Sequence, residues 1–96
     1  MSLEIRREDS ASKGRYVHAA NGAPEAEMTF SKAGEHLLII DHTEVPDAYR
    51  GQGVGAALVL RAVEEARAAG KKILPLCPFA AAQFRRHPEW ADVLSK

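Results

Sequence analysis

The stretch His36-Leu37-Leu38-Ile39-Ile40-Asp41, followed after Pro46 by Arg50-Gly51-Gln52-Gly53-Val54-Gly55-Ala56, decides the fold. Consecutive apolar residues in its first part put hydrophobic side chains on both faces of a strand over residues 36–45, as a central strand requires. Beyond the glycines the period changes. Val54, Leu58, Ala62 and Ala66, with Val59 and Val63 beside them, form one apolar side, while Arg61, Glu64, Glu65 and Arg67 gather on the other. Residues 54–69 therefore read as an amphipathic helix, with Gly70 at its C-terminal stop. Lys72-Ile73-Leu74-Pro75-Leu76 reads as a short strand, and a strand, crossover helix and strand in this order pair in parallel.

Working outward, residues 3–7, 15–20 and 25–30 read as short strands. Asn21-Gly22 supplies a tight hairpin, and Lys32-Ala33-Gly34-Glu35 a second, polar reversal. Such links favour antiparallel neighbours. In residues 25–30, Ala26, Met28 and Phe30 share one face and polar residues the other, giving a strand with one wet side. Residues 79–94 are helix-like, interrupted at His87-Pro88 and resuming from Glu89 to Leu94. The expected architecture is α/β (α+β), one domain over residues 1–96. It has a mixed sheet in which an antiparallel meander leads into one βαβ crossover and a C-terminal helix.

The bulk properties narrow the function. Hydrophobic residues make up 46% of the 96 and charged residues 27%, values of a soluble globular domain and not of a disordered chain. Thirteen basic residues balance thirteen acidic ones, so no net field draws the protein to nucleic acid or an anionic membrane. Cys77 is the only cysteine, and residues 1–7 lack the apolar core of a signal peptide. These point to a reducing, cytoplasmic setting. No apolar run approaches the roughly 20 residues of a membrane span. The histidines at 18, 36, 42 and 87 show no paired ligand spacing with Cys77, and no metal is expected.

The glycine turn lies where a buried strand hands over to a helix, so its backbone amides are those a helix start leaves unpaired. Glycines at alternate positions admit a close approach, and the positive end of the helix dipole favours a phosphate. The turn lacks the lysine and Ser/Thr of a Walker loop, and no glycine follows Gly55 three positions on, against a Rossmann site. An anchored pyrophosphate and a purely architectural tight turn both fit the glycines alone.

The stretch Val45-Pro46-Asp47-Ala48-Tyr49-Arg50-Gly51-Gln52-Gly53-Val54-Gly55 resembles the acetyl-CoA signature of the GCN5-related N-acetyltransferase (GNAT) superfamily, with Arg50, Gly53 and Gly55 at its defining positions. Asp41 to Pro46, Leu74 to Phe79 and Arg86 to Trp90 extend the likeness to the very small acetyltransferase-like proteins of that superfamily. The resemblance implies acetyl-CoA as acyl donor and an amine as acceptor. It implies cofactor-binding roles for Val45, Arg50, Gly51, Gln52, Gly53, Val54, Gly55 and Ala56, with the backbone of Gln52 to Gly55 on the pyrophosphate and the strand ending at Val45 along the pantetheine arm. Larger members carry helices between their first and second strands. Residues 8–14 are too short for those, which leaves the acceptor side open or supplied by a partner.

An amine must be neutral to attack a thioester, and a free lysine has a pKa of about 10.4. His42 and Glu44, two apart near the end of the central strand, share a face and are the candidate bases. Cys77, at the carboxyl edge of the crossover, is the third catalytic candidate, either as an acetyl acceptor or as the proton donor to the leaving thiolate. The related small proteins carry a cysteine there. Each of the three also has a structural reading, in local hydrogen bonding or in packing. Tyr49 fits a leaving-group proton donor or a packed rim residue. His87 and Trp90 pack the last segment, closing the cleft with Phe79 and Phe84, and Arg85 and Arg86 suit the adenosine phosphate or plain solvation. The overall expectation is an N-acetyltransferase, a monomer or small homo-oligomer. The alternatives are a CoA-binding module with little turnover, acting as sensor or subunit, and an unrelated nucleotide-binding domain.

Overall fold

The computed structural model describes residues 4–20 and 22–95. Five strands lie in the order of the chain, β1 (Arg6–Asp9), β2 (Lys13–His18), β3 (Ala26–Ala33), β4 (Leu37–Glu44) and β5 (Lys72–Pro75). The first four pair antiparallel, and β5 lies parallel to β4. Helix α1 (Val54–Ala69) makes the crossover and α2 (Pro78–Arg86) follows β5. The mixed sheet and single crossover are those expected.

The predicted apolar stripe of α1 is the buried one: Val54, Leu58, Val59, Ala62, Val63 and Ala66 are each at most 1% exposed. They pack on the sheet face that carries Tyr16, Met28, Phe30 and Ile40. Gly70 closes α1 in the left-handed conformation, and the Lys71 amide reaches back to the Ala66 carbonyl at 2.8 Å. With the Gly70 amide donating to the Arg67 carbonyl at 3.3 Å, this makes the Schellman pattern that glycine favours. Both helices join this one core. The other face carries Glu8, Arg15, Glu27 and Thr29, tied by ion pairs of Arg15 with Glu8 and Glu27 at 2.8 Å each, and neither α1 nor α2 packs on it.

Three expectations need correction. β1 begins at Arg6 and runs to Asp9, because cross-strand pairing carries its polar residues down to Gly14 beside the Ser10–Lys13 turn; Leu3 lies outside the described residues. β3 continues to Ala33, since its pairing with Leu37 to Ile40 holds the strand to the Gly34 turn. After His87 the chain forms a short 3-10 turn, Pro88–Trp90, and no further helix among the described residues. Residues 93–95 instead pair with the outer edge of β5, the Ile73 amide donating to the Val93 carbonyl at 2.6 Å and Ser95 to the Ile73 carbonyl at 2.8 Å. Those bonds satisfy an edge that would otherwise be open. The Asn21-Gly22 hairpin falls on Asn21, outside the described residues.

The β1 edge is fixed to α1 by a polar cluster. Arg7 donates to Asp9 and to Glu65, each at 2.8 Å, and the buried Tyr16 hydroxyl donates to Glu65 at 2.7 Å. Hydrogen bonds from Arg7, opposed in part by desolvation and joined by one from Lys32, hold the Asp9 carboxyl down to about 2. A depressed carboxylate stabilises the fold above its unfolded pKa and loses that contribution as pH falls. Asp9→Asn should therefore flatten the loss of stability between about pH 4 and pH 2 by about 1 kcal/mol after allowance for solvent screening, read by urea unfolding across pH; an unchanged slope would remove Asp9 from the acid response.

Gly14 on β2 is a close-approach glycine, since a Cβ there would sit 2.4 Å from the Phe30 ring and 3.0 Å from the Glu8 carbonyl. Phe30 is 1% exposed and has little room to give. Gly14→Ala should destabilise by about 1–3 kcal/mol through overpacking, and Phe30→Leu in that background should recover part of the loss in the same urea assay.

Candidate active site

The site is built where β4 outlasts β5. The parallel ladder ends with Ile40 opposite Pro75, after which the Leu76 and Cys77 amides both donate to the Ile40 carbonyl at 3.1 Å and the chain turns into α2. From Asp41 to Glu44, β4 has β3 on one side and no strand on the other. A gap opens there between β4 and the start of α2.

A bulge sets what faces the gap. Phe30 pairs with Ile40 but its neighbour Thr29 pairs with His42, so Asp41 is the extra residue. Without it, strict alternation would put His42 and Glu44 on the face of Leu38 and Ile40. With it, Thr43 opposite buried Met28 takes the helix-covered face, and His42 and Glu44 lie exposed on the open one. The structure thus separates the three catalytic candidates, with Cys77 on one face and His42 and Glu44 together on the other.

Cys77 is 5% exposed and stands at the N-cap of α2. Its Sγ lies 3.4 Å from the Thr43 hydroxyl. Burial pushes the thiol up, but the Thr43 hydroxyl and the amides of Ala80, Phe79 and Thr43 favour the thiolate and carry the balance below the ordinary value. Thr43 is the partner that sequence reading missed. Its role depends on the bulge, for which alternating apolar residues give no signal.

The glycine turn sits at the near end of the gap. Gly53 caps α1 with φ 72° and no side-chain hydrogen bond, and the first turn of α1 holds no acidic residue. The first bond of the helix runs from the Ala57 amide to the Gly53 carbonyl, so the amides of Gly53, Val54, Gly55 and Ala56 have no protein acceptor among the described residues. Gln52 is spoken for, its amide donating to Tyr49 and its side chain to the Ala48 carbonyl. Gly51 and Gly53 face open space, whereas a Cβ on Gly55 would meet the Phe79 ring at 2.6 Å. Gly55 thereby lets α2 close over the turn. The Val54 side chain is buried while its amide stays free, Ala56 is half-buried, and Val45 packs against the core beside the gap. Arg50 is exposed and paired with Asp47 at 3.0 Å. Tyr49 is buried against His18, its hydroxyl accepting from the Ala20 amide at 3.2 Å, which makes it a packing residue.

A family model described as GCN5-related N-acetyl-transferase matches residues 15–93. The chain belongs to that family. Protein NATD1 of Homo sapiens is 33% identical over 61 residues, covering 62% of this chain and 54% of that protein, and Protein NATD1 of Gallus gallus is 31% identical over 61 residues, covering 62% and 56%. The chain thus spans about half the length of these relatives. The solution structure of a GCN5-like protein from Staphylococcus aureus, named as a candidate N-acetyltransferase, has a TM-score of 0.74 at 32% identity, over 97% of this chain and 88% of that one. The GNAT fold is therefore shared across nearly the whole chain. No helix among the described residues is long and apolar enough to cross a membrane, and no group of three metal-binding side chains occurs among them.

Thr43→Val should raise the Cys77 pKa, because the variant loses a donor to the thiolate. Thiolate absorbance against pH would read the shift, with Cys77→Ala as the blank; an unmoved titration would assign the lowering to the backbone amides of Ala80, Phe79 and Thr43 alone.

Proposed function

We propose that this GNAT-family chain is an acyltransferase that takes an acetyl group from acetyl-CoA, held in the gap between β4 and α2, and passes it to a primary amine. The observation that carries this is that four amides, from Gly53 to Ala56, have no protein acceptor among the described residues, in a chain whose β4 runs on past Ile40 with no strand on its β5 side. An uncapped helix start with no acidic residue breaks the usual helix-capping rule, as a site that accepts an external anion would. These amides take the pyrophosphate, with Arg50 free to turn from Asp47 to the phosphates. The β4 edge takes the amides of the pantetheine arm, as a further strand would be taken.

At the far end of that edge stands the Cys77 sulfur. In this reading its thiolate attacks the thioester carbon and takes the acetyl group as CoA leaves as a thiolate; the neutral amine then attacks the same carbon, forming the amide as the Cys77 thiolate leaves. His42 and Glu44 take the ammonium proton from the open face. A cavity of about 570 Å³, lined by Lys13, Arg15, Ser31 and Asp41, lies on that face beside the β1–β2 link and touches none of Cys77, His42 and Glu44. The three-residue link between β1 and β2 leaves it uncovered and also favours a second reading, a CoA-binding module without turnover.

Ala56→Glu distinguishes a binding site from an architectural turn. Glutamate in the first turn suits the helix dipole, so stability should hold or rise by a few tenths of a kcal/mol. The same carboxylate repels a phosphate, so acetyl-CoA affinity by isothermal titration should fall at least ~10-fold; unaltered binding would sink the proposed site. Cys77→Ala should keep binding and lose both the acetylated protein seen by intact mass and the amine-dependent release of CoA. Binding by the native chain without release for any amine would select the module.

A further inference from the structure

A second groove begins at the glycine turn. It has a volume of about 350 Å³, at the lower end for small-ligand sites, and shares Gly53 with the anion-binding amides. One wall is the outer flank of α1, where Ala57 is half-buried and Leu60 is 42% exposed. The other is the segment after α2, where the His87 ring stacks on Trp90 with centroids 4.0 Å apart and planes 13° from parallel. Trp90, which also lines the groove, is largely buried and braced edge-on by Phe84, so it fixes the His87 ring stacked on it. Glu89 holds the imidazole from the side at 2.9 Å. The result is a flat, oriented aromatic ring at the mouth of an apolar slot, and the fold itself needs no such exposed platform.

We infer that this groove receives the adenine base of the acyl donor, with His87 as the stacking platform and Ala57 and Leu60 as the opposing wall. The inference rests on the acyl-donor reading above. Three features select this occupant. Continuity comes first: a ligand whose diphosphate sits on the Gly53 to Ala56 amides has its nucleoside at the groove entrance. Length agrees, because from Gly53 to Leu60 the helix rises about 10 Å, the reach of a ribose and base. Charge decides which part enters. The Glu89 carboxylate at the rim repels a phosphate and offers an acceptor to an exocyclic amino group, so the base goes in and the 3′-phosphate stays outside. Ala57 keeps the slot open where a larger side chain would fill it.

Isothermal titration with acetyl-CoA and with S-acetyl-4′-phosphopantetheine, which keeps one phosphate of the diphosphate and lacks the nucleoside with its other phosphates, tests this. His87→Ala and Ala57→Leu should each weaken acetyl-CoA about 10-fold, as loss of one base–aromatic stack does, and leave S-acetyl-4′-phosphopantetheine unchanged. His87→Phe, which keeps a flat ring, should stay within about 2-fold of the native chain for acetyl-CoA. Thermal unfolding of each variant confirms that it is folded. Native-like acetyl-CoA binding by both His87→Ala and Ala57→Leu overturns the groove and leaves the acyl-donor site standing. Equal weakening of both ligands also overturns it, because the variants would then act on the turn and not on the base. Binding of neither ligand to the native chain removes the acyl-donor reading and the groove with it.

Discussion

The parting of β4 from β5 is the constraint on which the site depends. A parallel pair that stayed closed would satisfy the β4 edge and leave nowhere for a ligand to lie along it. The ladder instead stops at Pro75, which has no amide to donate, and the next two amides converge on the Ile40 carbonyl. β4 runs on to Glu44 with no strand on its β5 side, and the start of α1 meets α2 where Gly55 faces Phe79. An open edge of this kind is ordinarily an aggregation liability. Here α2 shields it, through Cys77 at its cap and Phe79 against Gly55.

The bulge at Asp41 adds a second consequence to the same strand. By moving Thr43 onto the covered face and His42 and Glu44 onto the open one, it gives the sheet two chemically different sides at one level. The covered side is dry and holds a sulfur among donors. The open side is wet and holds groups able to take a proton.

Much of this was legible in the sequence. The 3.6-residue period from Val54 to Ala66, with Gly70 after it, defined α1 to its ends, because burial and capping act locally along a helix. The glycine turn was legible for the same reason: strand, glycines and helix are contiguous. What escaped were features made by distant pairing. The bulge depends on the register of β3 against β4, and the Thr43–Cys77 contact joins residues 34 positions apart. The last segment reads as helix by composition, yet residues 93–95 serve the β5 edge, a demand set by tertiary structure. Among the residues expected to bind the cofactor, sequence could not tell that the Gln52 amide is already engaged or that Gly55 makes room for Phe79.

The central claim is that acetyl-CoA lies in the gap between β4 and α2 with its diphosphate on the start of α1. Backbone amide NMR spectra recorded as acetyl-CoA is added test it most directly. The account predicts shifts at Thr43, Val45, Gly53 to Ala56 and Cys77, with Arg15 and Glu27 on the open face unmoved. Shifts centred on the open face, or none at all from a folded chain, would contradict it.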